Sequence, residues 1–276
     1  MDCTVGIDVG STYTKCVALF ANGEIVGRRL AQTGFKLGEV SVRLLNETLA
    51  DSGLERGDVG YVIATGFGRH QVKDKDAAVT DLTAAARGAR FIFPDTRTVL
   101  DIGGQTMKAS RVDENCKVDS FRLNDKCAAG TGAFLEKTAY YMGFKTKEIG
   151  PLLATSRESV SISGVCAVFA ESEVINHLSQ GTAPADIMQG AVSSLIKRSV
   201  QLMKRVRAEP GYTLVGGLLR FRTMVDEVQE KLGQEVNVPD GDLVQFTAAL
   251  GAAVLGHRRM QQLGVGSGLT VGAGAA

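Results

Sequence analysis

An internal repeat constrains the fold of this chain more than any other feature of its sequence. The segment DVGSTYTK begins at Asp8, and the segment DIGGQTMK begins at Asp101, 93 residues later. Both read D-x-G-(S/G)-x-x-x-K, and both follow a short apolar run that predicts a buried strand. The chain therefore carries two related strand–turn units. This repeat predicts a duplicated α/β architecture with a cleft between two halves.

The rest of the sequence predicts strands in the first part and mostly helices after residue 132. Expected strands cover 4–8, 14–20, 24–30, 59–64, 98–101, 106–112, 118–123 and 212–215. Expected helices lie near 37–54, 83–88, 132–142, 146–153, 167–180, 184–207, 220–232 and 243–262. The glycine-, alanine- and serine-rich segment 264–276 is predicted to be a disordered tail.

Composition excludes several classes of protein. There are 31 basic and 30 acidic residues, so the net charge of +1 gives no reason to expect nucleic acid or an anionic membrane as a partner. No apolar run approaches the ~20 residues of a membrane span. The sequence begins MDCTVGIDVG, with no basic stretch before an apolar one, so no secretory signal is predicted. We expect a cytoplasmic protein.

Each copy of the repeat has the residues that a phosphate site needs. A strand brings Asp8 to its carboxyl end, and Gly10 lets the chain turn tightly. The N–H groups of Gly10, Ser11 and Thr12 can then bind phosphate oxygens. A carboxylate repels phosphate, so Asp8 is expected to act through Mg²⁺. The second copy supplies an equivalent set from the other side of the phosphates: Asp101, Gly103, Gly104 and Gln105.

A third motif completes the predicted nucleotide site. The segment LVGGLLR, residues 214–220, reads as a strand, two glycines and a helix. Gly216 and Gly217 would let an adenine ring lie against the backbone. Lys15 closes the first repeat and is included with the nucleotide-binding residues. The chain has no GxxxxGK(S/T) sequence, which excludes a P-loop enzyme.

The five cysteines, at positions 3, 16, 116, 127 and 166, form no C-x-x-C pair, and their odd number argues against a disulfide framework. Cys127 and Cys166 are each predicted at the start of a helix, where N–H groups stabilise a thiolate. Cys3 and Cys16 are expected to pack in the first sheet, and Cys116 to be exposed in a hairpin turn.

Two interpretations of Cys127 and Cys166 stay open on chemistry alone. They are either buried structural thiols or ligands of an anionic iron–sulfur cluster. A [4Fe–4S] cluster needs about four thiolates, which a symmetric dimer would supply as two from each protomer.

The three phosphate and adenosine motifs resemble those of the actin, sugar-kinase and heat-shock chaperone ATPase superfamily. This resemblance implies two ribonuclease-H-like α/β domains with ATP in the cleft between them. We expect an N-terminal domain at 1–95 and a C-terminal domain at 96–263 carrying the cluster cysteines. The last helix, 243–262, is expected to pack back on the first domain.

The segments NDKCAAGTGAFLE, GVCAVFAESEV and ATGFGR further resemble the ATP-dependent reductive activases of the BadF/BadG/BcrA/BcrD type. These proteins are activators of 2-hydroxyacyl-CoA dehydratases and ATPase subunits of benzoyl-CoA reductase. The resemblance implies a dimer with a paralogous or identical subunit, bridged by one [4Fe–4S] cluster on Cys127 and Cys166. It also implies Mg-ATP, a ferredoxin-like electron donor and a partner enzyme to which hydrolysis drives a low-potential electron.

Segments 134–143, 213–224 and 237–259 look more like the benzoyl-CoA reductase branch, whose partners are catalytic acyl-CoA reductase subunits. That branch is preferred here, with a homodimeric dehydratase activator as the alternative. Asp8, Asp101 and Glu136 are assigned as catalytic, although Glu136 and Glu171 would also suit an exposed helix surface. Two classes compete with this interpretation. One is a sugar or acyl kinase of the same superfamily, and the other is a chaperone-like or cell-shape ATPase without a cluster.

Overall fold

The computed structural model describes residues 3–163, 167–266 and 269, and places ten strands in two five-stranded sheets. The first sheet has the order β3-β2-β1-β4-β5, and the second the order β10-β9-β6-β7-β8. In chain order the strands are β1 (Cys3–Val9), β2 (Tyr13–Phe20), β3 (Ile25–Gln32), β4 (Val59–Thr65), β5 (Ala77–Ala78), β6 (Thr98–Ile102), β7 (Met107–Val112), β8 (Val118–Asn124), β9 (Tyr212–Val215) and β10 (Val236–Asn237).

The two sheets have the same topology, which confirms the duplication predicted from the repeat. In each sheet the first three strands are antiparallel and the last two are parallel to the first. The register matches residue by residue. Asp8 on β1 faces Lys15 on β2, and Asp101 on β6 faces Lys108 on β7. Each repeat is therefore a β-hairpin whose first aspartate and last lysine are cross-strand partners.

Eight α-helices complete the described part of the chain. They are α1 (Leu37–Asp51), α2 (Asp81–Ile92), α3 (Gly132–Tyr141), α4 (Ile149–Leu153), α5 (Ala167–Ser179), α6 (Pro184–Arg205), α7 (Arg222–Leu232) and α8 (Leu243–Leu263). None of the described helices is long and apolar enough to cross a bilayer. Helix α6 buries more residues than any other described helix, and it lies at the centre of the apolar core that packs on the second sheet.

Two helices cross between the halves. Helix α8 follows the second sheet in sequence but packs on the first, where Ala249 and Leu250 contact Val17 and Leu19. Helix α2 follows the first sheet but packs on the second, where Ala85 and Ala89 join a core cluster. The backbones of α2 and α8 also meet each other closely. The boundary at 95/96 stays a prediction, and most of the segment 264–276 lies outside the described residues.

The exposed position predicted for Cys116 is wrong. Its side chain is only 2% exposed, and its thiol donates to the carbonyl of Ala86 on α2 at 3.3 Å. The hairpin turn itself is polar, as predicted, but helix α2 covers it and forms an apolar cluster with Cys116 and Val112. Burial is also the largest influence on the pKa of this thiol, and it raises that pKa.

Candidate functional site

A cleft of about 500 Å³ opens between the two sheets, and the structure brings every predicted nucleotide and catalytic residue to it. The carboxyl ends of β1, β6 and β9 meet there, as expected for parallel strands in α/β sheets. The predicted residues that line the cleft are Asp8, Gly10, Ser11, Thr12, Lys15, Asp101, Gly103, Gly104, Gln105, Glu136, Gly216 and Gly217.

The two repeat turns are built alike. The Gly10 N–H donates to the carbonyl of Tyr13 at 3.1 Å, and the Gly103 N–H donates to the carbonyl of Thr106 at 2.8 Å. The Gly10 N–H, which was predicted to bind phosphate, is therefore used by the turn itself. Four later N–H groups have no acceptor within the described chain, and these belong to Ser11, Thr12, Gly104 and Gln105. They are the donors available to phosphate oxygens.

The carbonyls of both turns are occupied by outside donors. The Thr33 hydroxyl donates to the Gly10 carbonyl at 2.8 Å. In the second turn the N–H groups of Gly132 and Ala133 donate to the carbonyls of Gly103 and Gly104, at 3.0 and 2.6 Å. The second turn is therefore hydrogen-bonded directly to the first residues of α3.

Three carboxylates and two ammonium groups form the polar floor of the cleft. Lys15 Nζ lies 3.0 Å from Asp8 Oδ2. Lys108 Nζ lies 3.2 Å from Asp101 Oδ2 and 2.9 Å from Asp81 Oδ2. This group of five side chains has one negative charge in excess. Such a site attracts a cation when a polyanionic phosphate enters.

The pKa shifts in this group agree with an excess of negative charge. Burial raises the pKa of Asp101, and the like charges of Asp81 and Asp8 raise it further, against the opposite effect of Lys108. Burial lowers the pKa of Lys108, but the carboxylates of Asp101 and Asp81 together outweigh burial and raise that pKa above its ordinary value. Protonation is therefore favoured at Asp101 mainly by burial, and at Lys108 by the neighbouring carboxylates.

Two equivalent glycines make room for the two predicted aspartates. Gly66 follows β4 with φ +83°, and a Cβ there would collide with Asp8 Oδ1. Gly216 follows β9 with φ +104°, and a Cβ there would lie 2.7 Å from Asp101 Oδ1 and closer still to the Ile102 carbonyl. The duplication therefore extends beyond the hairpins to the strand ends that flank each aspartate.

The neighbouring glycines Gly216 and Gly217 give a matched pair of variants. Gly216→Ala is expected to lower the free energy of unfolding by about 1–3 kcal/mol, because alanine would be strained at this φ and would collide with the Ile102 carbonyl. At Gly217 a Cβ would meet no described atom closer than Gln245 Oε1 at 3.8 Å. Gly217→Ala should therefore fold normally and change only nucleotide affinity. Thermal unfolding of both variants tests this, and equal melting temperatures would contradict it.

The same residues fit Mg²⁺ as well as a nucleotide. Within the described residues, no three His, Cys, Asp or Glu side chains are grouped closely enough to hold a metal by themselves. Asp8 and Asp101 would therefore hold Mg²⁺ together with water and phosphate oxygens, an arrangement that this ion commonly adopts. Their carboxylates lie beside the free N–H groups of the turns, which suits a metal–phosphate complex.

Glu136 and Glu171 have different surroundings. Glu136 on α3 lines the cleft, and burial raises its pKa. Glu171 on α5 is outside the cleft lining. Its carboxylate lies 2.5 Å from Lys137 Nζ and accepts a hydrogen bond from the Tyr141 hydroxyl at 3.3 Å. The position of Glu136 is compatible with its predicted catalytic role, whereas Glu171 has a structural one.

Cys127 lies at the start of a helical turn, as predicted. It is the N-cap residue of the 3₁₀ turn Ala128–Gly130, which leads into α3. Its side chain is half-buried, and Arg198 Nη1 donates to its sulfur at 3.5 Å. The preceding residues Asp125 and Lys126 line the nucleotide cleft. Cys166 lies outside the described residues, immediately before α5.

The environment of Cys127 fits one ligand of an anionic cluster. Its sulfur accepts a hydrogen bond from the Arg198 guanidinium, and a helical turn begins directly after it, both of which suit an anionic group bound there. Cys3 and Cys16 differ, because they are 1% and 0% exposed in the first core. Burial raises the pKa of Cys3 to about 11 and that of Cys16 to about 12. The prediction that these two thiols pack in the first sheet is confirmed.

Some cleft residues were missed by sequence reasoning. The most important is Asp81, which begins α2 and pairs with Lys108. Its position after Thr80 is typical of a helix N-terminus, so the sequence offered no signal of a second role. Other missed residues of the cleft lining include Lys108, Phe221, directly after the LVGGLLR motif, and Gln245 on α8.

Comparisons with known proteins find a matching family model and several similar proteins. The BadF/BadG/BcrA/BcrD ATPase family matches residues 5–256. The 2-hydroxyisocaproyl-CoA dehydratase activator of Clostridioides difficile is 40% identical, covering 91% of this chain and 93% of that protein. The (R)-2-hydroxyglutaryl-CoA dehydratase activating ATPase of Acidaminococcus fermentans is 38% identical, with 93% and 97% covered. A subunit of the benzoyl-CoA reductase of Thauera aromatica is 34% identical, with 96% and 97% covered.

Solved structures confirm the predicted fold class. The activator of the 2-hydroxyisocaproyl-CoA dehydratase from Clostridium difficile, with bound ADPNP, has a TM-score of 0.88 at 37% identity, covering 99% of this chain and all of that one. A ROK family glucokinase from Streptomyces griseus, in complex with glucose and AMPPNP, has a TM-score of 0.55 at 15% identity, covering 93% and 99%. The second likeness shows the fold alone.

Proposed function

Because the chain belongs to the BadF/BadG/BcrA/BcrD ATPase family, we propose that it is an ATP-hydrolysing activator that delivers electrons to a 2-hydroxyacyl-CoA dehydratase. The dehydratase activators are 40% and 38% identical to it, against 34% for the benzoyl-CoA reductase subunit. These identities favour the activator, which was the alternative on sequence motifs alone, over the reductase subunit that those motifs preferred.

One observation carries the proposal. The second phosphate turn accepts hydrogen bonds from the first two residues of α3, Gly132 and Ala133. The segment directly before them contains Cys127, which is itself tied to the end of β8 because the Asn124 side-chain amide donates to the Cys127 carbonyl at 3.1 Å. A displacement of the turn by a nucleotide would therefore reach the cysteine without an intervening flexible linker.

The nucleotide half of the proposal uses the residues of the cleft. The free N–H groups of Ser11, Thr12, Gly104 and Gln105 bind phosphate oxygens, and Lys15 and Lys108 balance their charge. Asp8 and Asp101 would hold Mg²⁺ and orient the water that attacks the γ-phosphate. Glu136, which also lines the cleft, would help to position that water.

The cluster half rests on Cys127 and Cys166, two from each protomer of a homodimer. When bound between the protomers, a [4Fe–4S] cluster supplies one-electron chemistry at low potential. Arg198 and the turn after Cys127 supply positive charge at the thiolate. Hydrogen bonds and solvent exposure tune the potential of such clusters, so motion of α3 would change it. A ferredoxin-like protein is the electron donor and the dehydratase the acceptor.

If the nucleotide cleft and the cluster are coupled, the bound nucleotide should change the rate at which a chelator removes iron from the protein. Protein purified without oxygen is mixed with the chelator bathophenanthroline in the nucleotide-free, ADP-bound and ATP-bound states. We expect clearly different rates of iron loss, because closure of the cleft moves α3 and the Cys127 segment. The matching functional measurement is electron transfer to a 2-hydroxyacyl-CoA dehydratase, expected only with ATP. Equal rates in all three states, together with ATP-independent electron transfer, would contradict the proposal.

A sugar or acyl kinase without a cluster is the other class that this fold accommodates. The same purification separates the two, because an activator is brown and contains iron and sulfide, whereas a kinase is colourless. A colourless protein that phosphorylates a sugar would replace the proposed function.

A further inference from the structure

A second cavity, of about 520 Å³, lies beside the Cys127 segment and shares no lining residue with the nucleotide cleft. It is bounded on one side by the ends of β7 and β8 and on the other by the C-terminal half of α6. Asn124 and Arg198 contribute to its wall, and both also contact Cys127.

The rim of this cavity is strongly basic. Lys197, Arg198 and Arg205 line it, and among the described residues no Asp or Glu does. Lys197 and Arg205 are exposed, and neither forms an ion pair within the part of the chain that the structure describes. The exposed ammonium of Lys197 and guanidinium of Arg205 therefore leave positive charge at the rim, which attracts an anion.

The deeper wall of the cavity is apolar. Met107, Ile162 and Leu202 line it and are 1%, 8% and 8% exposed. Such a surface favours methylene groups over water. The basic rim and the apolar wall together suit a ligand with an anionic head and an apolar body.

We propose that this cavity binds a small organic anion, with a carboxylate or phosphate head among Lys197, Arg198 and Arg205 and an apolar body against Met107 and Leu202. This site goes beyond the proposed activator function and does not depend on it. Because Arg198 reaches both the cavity and Cys127, an occupant and the cysteine share one guanidinium. Binding of such an anion would therefore change the surroundings of Cys127 through Arg198.

Calorimetric titration of the full-length protein tests the proposal with four probes: hexanoate, hexyl phosphate, inorganic phosphate and 1-hexanol. We expect saturable binding of at least one of the two hexyl anions, and weaker binding of inorganic phosphate and of 1-hexanol, which lack the body or the charge. The stronger of the two hexyl anions identifies the head group. Titration in the presence of saturating ADP excludes binding in the nucleotide cleft.

The variants are chosen to leave Arg198 intact. The double variant Lys197→Gln, Arg205→Gln should weaken binding of the preferred anion by about 10-fold or more, as loss of charged hydrogen-bond donors typically does. Lys204→Gln removes an equal charge from the same helix outside the cavity and should bind as the wild type does. Absence of saturable binding by both anions, or equal affinity in the double variant and the Lys204 control, would overturn the proposal.

Discussion

Asp101→Asn is expected to bind Mg-ATP almost as tightly as the wild-type protein and to hydrolyse it at least about 100-fold more slowly. Asparagine keeps the size of the side chain, and Lys108 stays paired with Asp81 at 2.9 Å, so the second phosphate turn should keep its shape. What is lost is the negative charge that holds Mg²⁺ and orients water. Binding by calorimetry and turnover by phosphate release separate the two effects.

The stability of this variant provides an internal check. Burial and the charges of Asp81 and Asp8 raise the pKa of Asp101. Keeping this carboxylate ionised in the folded protein therefore lowers the free energy of unfolding. A neutral asparagine removes that destabilisation. The melting temperature of Asp101→Asn should therefore be at least that of the wild type, and a loss of turnover cannot then be attributed to unfolding.

Asp81→Asn is the matched control for the role of Asp101. Asp81 also pairs with Lys108, but it begins α2 and is not an aspartate of the repeat. Its loss leaves Lys108 paired with Asp101 at 3.2 Å, so we expect a smaller decrease in kcat. Wild-type turnover in Asp101→Asn, or an equal loss in both variants, would contradict the catalytic assignment of Asp101.

The repeat made most of the fold predictable. Local patterns also located most helices and strands closely, as for strand β9, predicted at 212–215 and observed at Tyr212–Val215. Strands β5 and β10 were missed because each has only two residues and forms by pairing with β4 or β9. A pattern of period two cannot be recognised in two residues.

The errors in the site have a common cause, which is long-range packing. Cys116 was predicted to be exposed from its polar turn, but α2 comes from a distant part of the chain to cover it. Asp81 was missed for the same reason, since it begins helix α2 and its partner Lys108 lies on β7 of the second sheet. The preference for the reductase branch came from three segments, 134–143, 213–224 and 237–259, the second of which contains the cleft residues Arg220 and Phe221. A few residues there carry less information than identity over the whole chain.

Cys127→Ser is expected to lose nearly all iron and sulfide when the protein is purified without oxygen. In a homodimer bridged by one cluster, this single change removes two of four thiolates, and serine is a poor replacement for a thiolate ligand. The same loss is expected for Cys166→Ser, whose position lies outside the described residues. Nucleotide binding should persist in Cys127→Ser, because Cys127 is not among the described residues that line the nucleotide cleft. We expect the same of Cys166→Ser.

Cys116→Ser is the control that the structure offers for this experiment. Its thiol is buried and donates to the Ala86 carbonyl, a hydrogen bond that a serine hydroxyl can replace. Iron content should therefore stay at the wild-type level, as it should for serine variants of the core thiols Cys3 and Cys16. Full iron content in Cys127→Ser, or iron loss confined to Cys3, Cys16 and Cys116 variants, would show that the cluster assignment is wrong. Loss in Cys127→Ser alone, with Cys166→Ser unaffected, would leave Cys127 as a ligand and require two further ligands from elsewhere in the dimer.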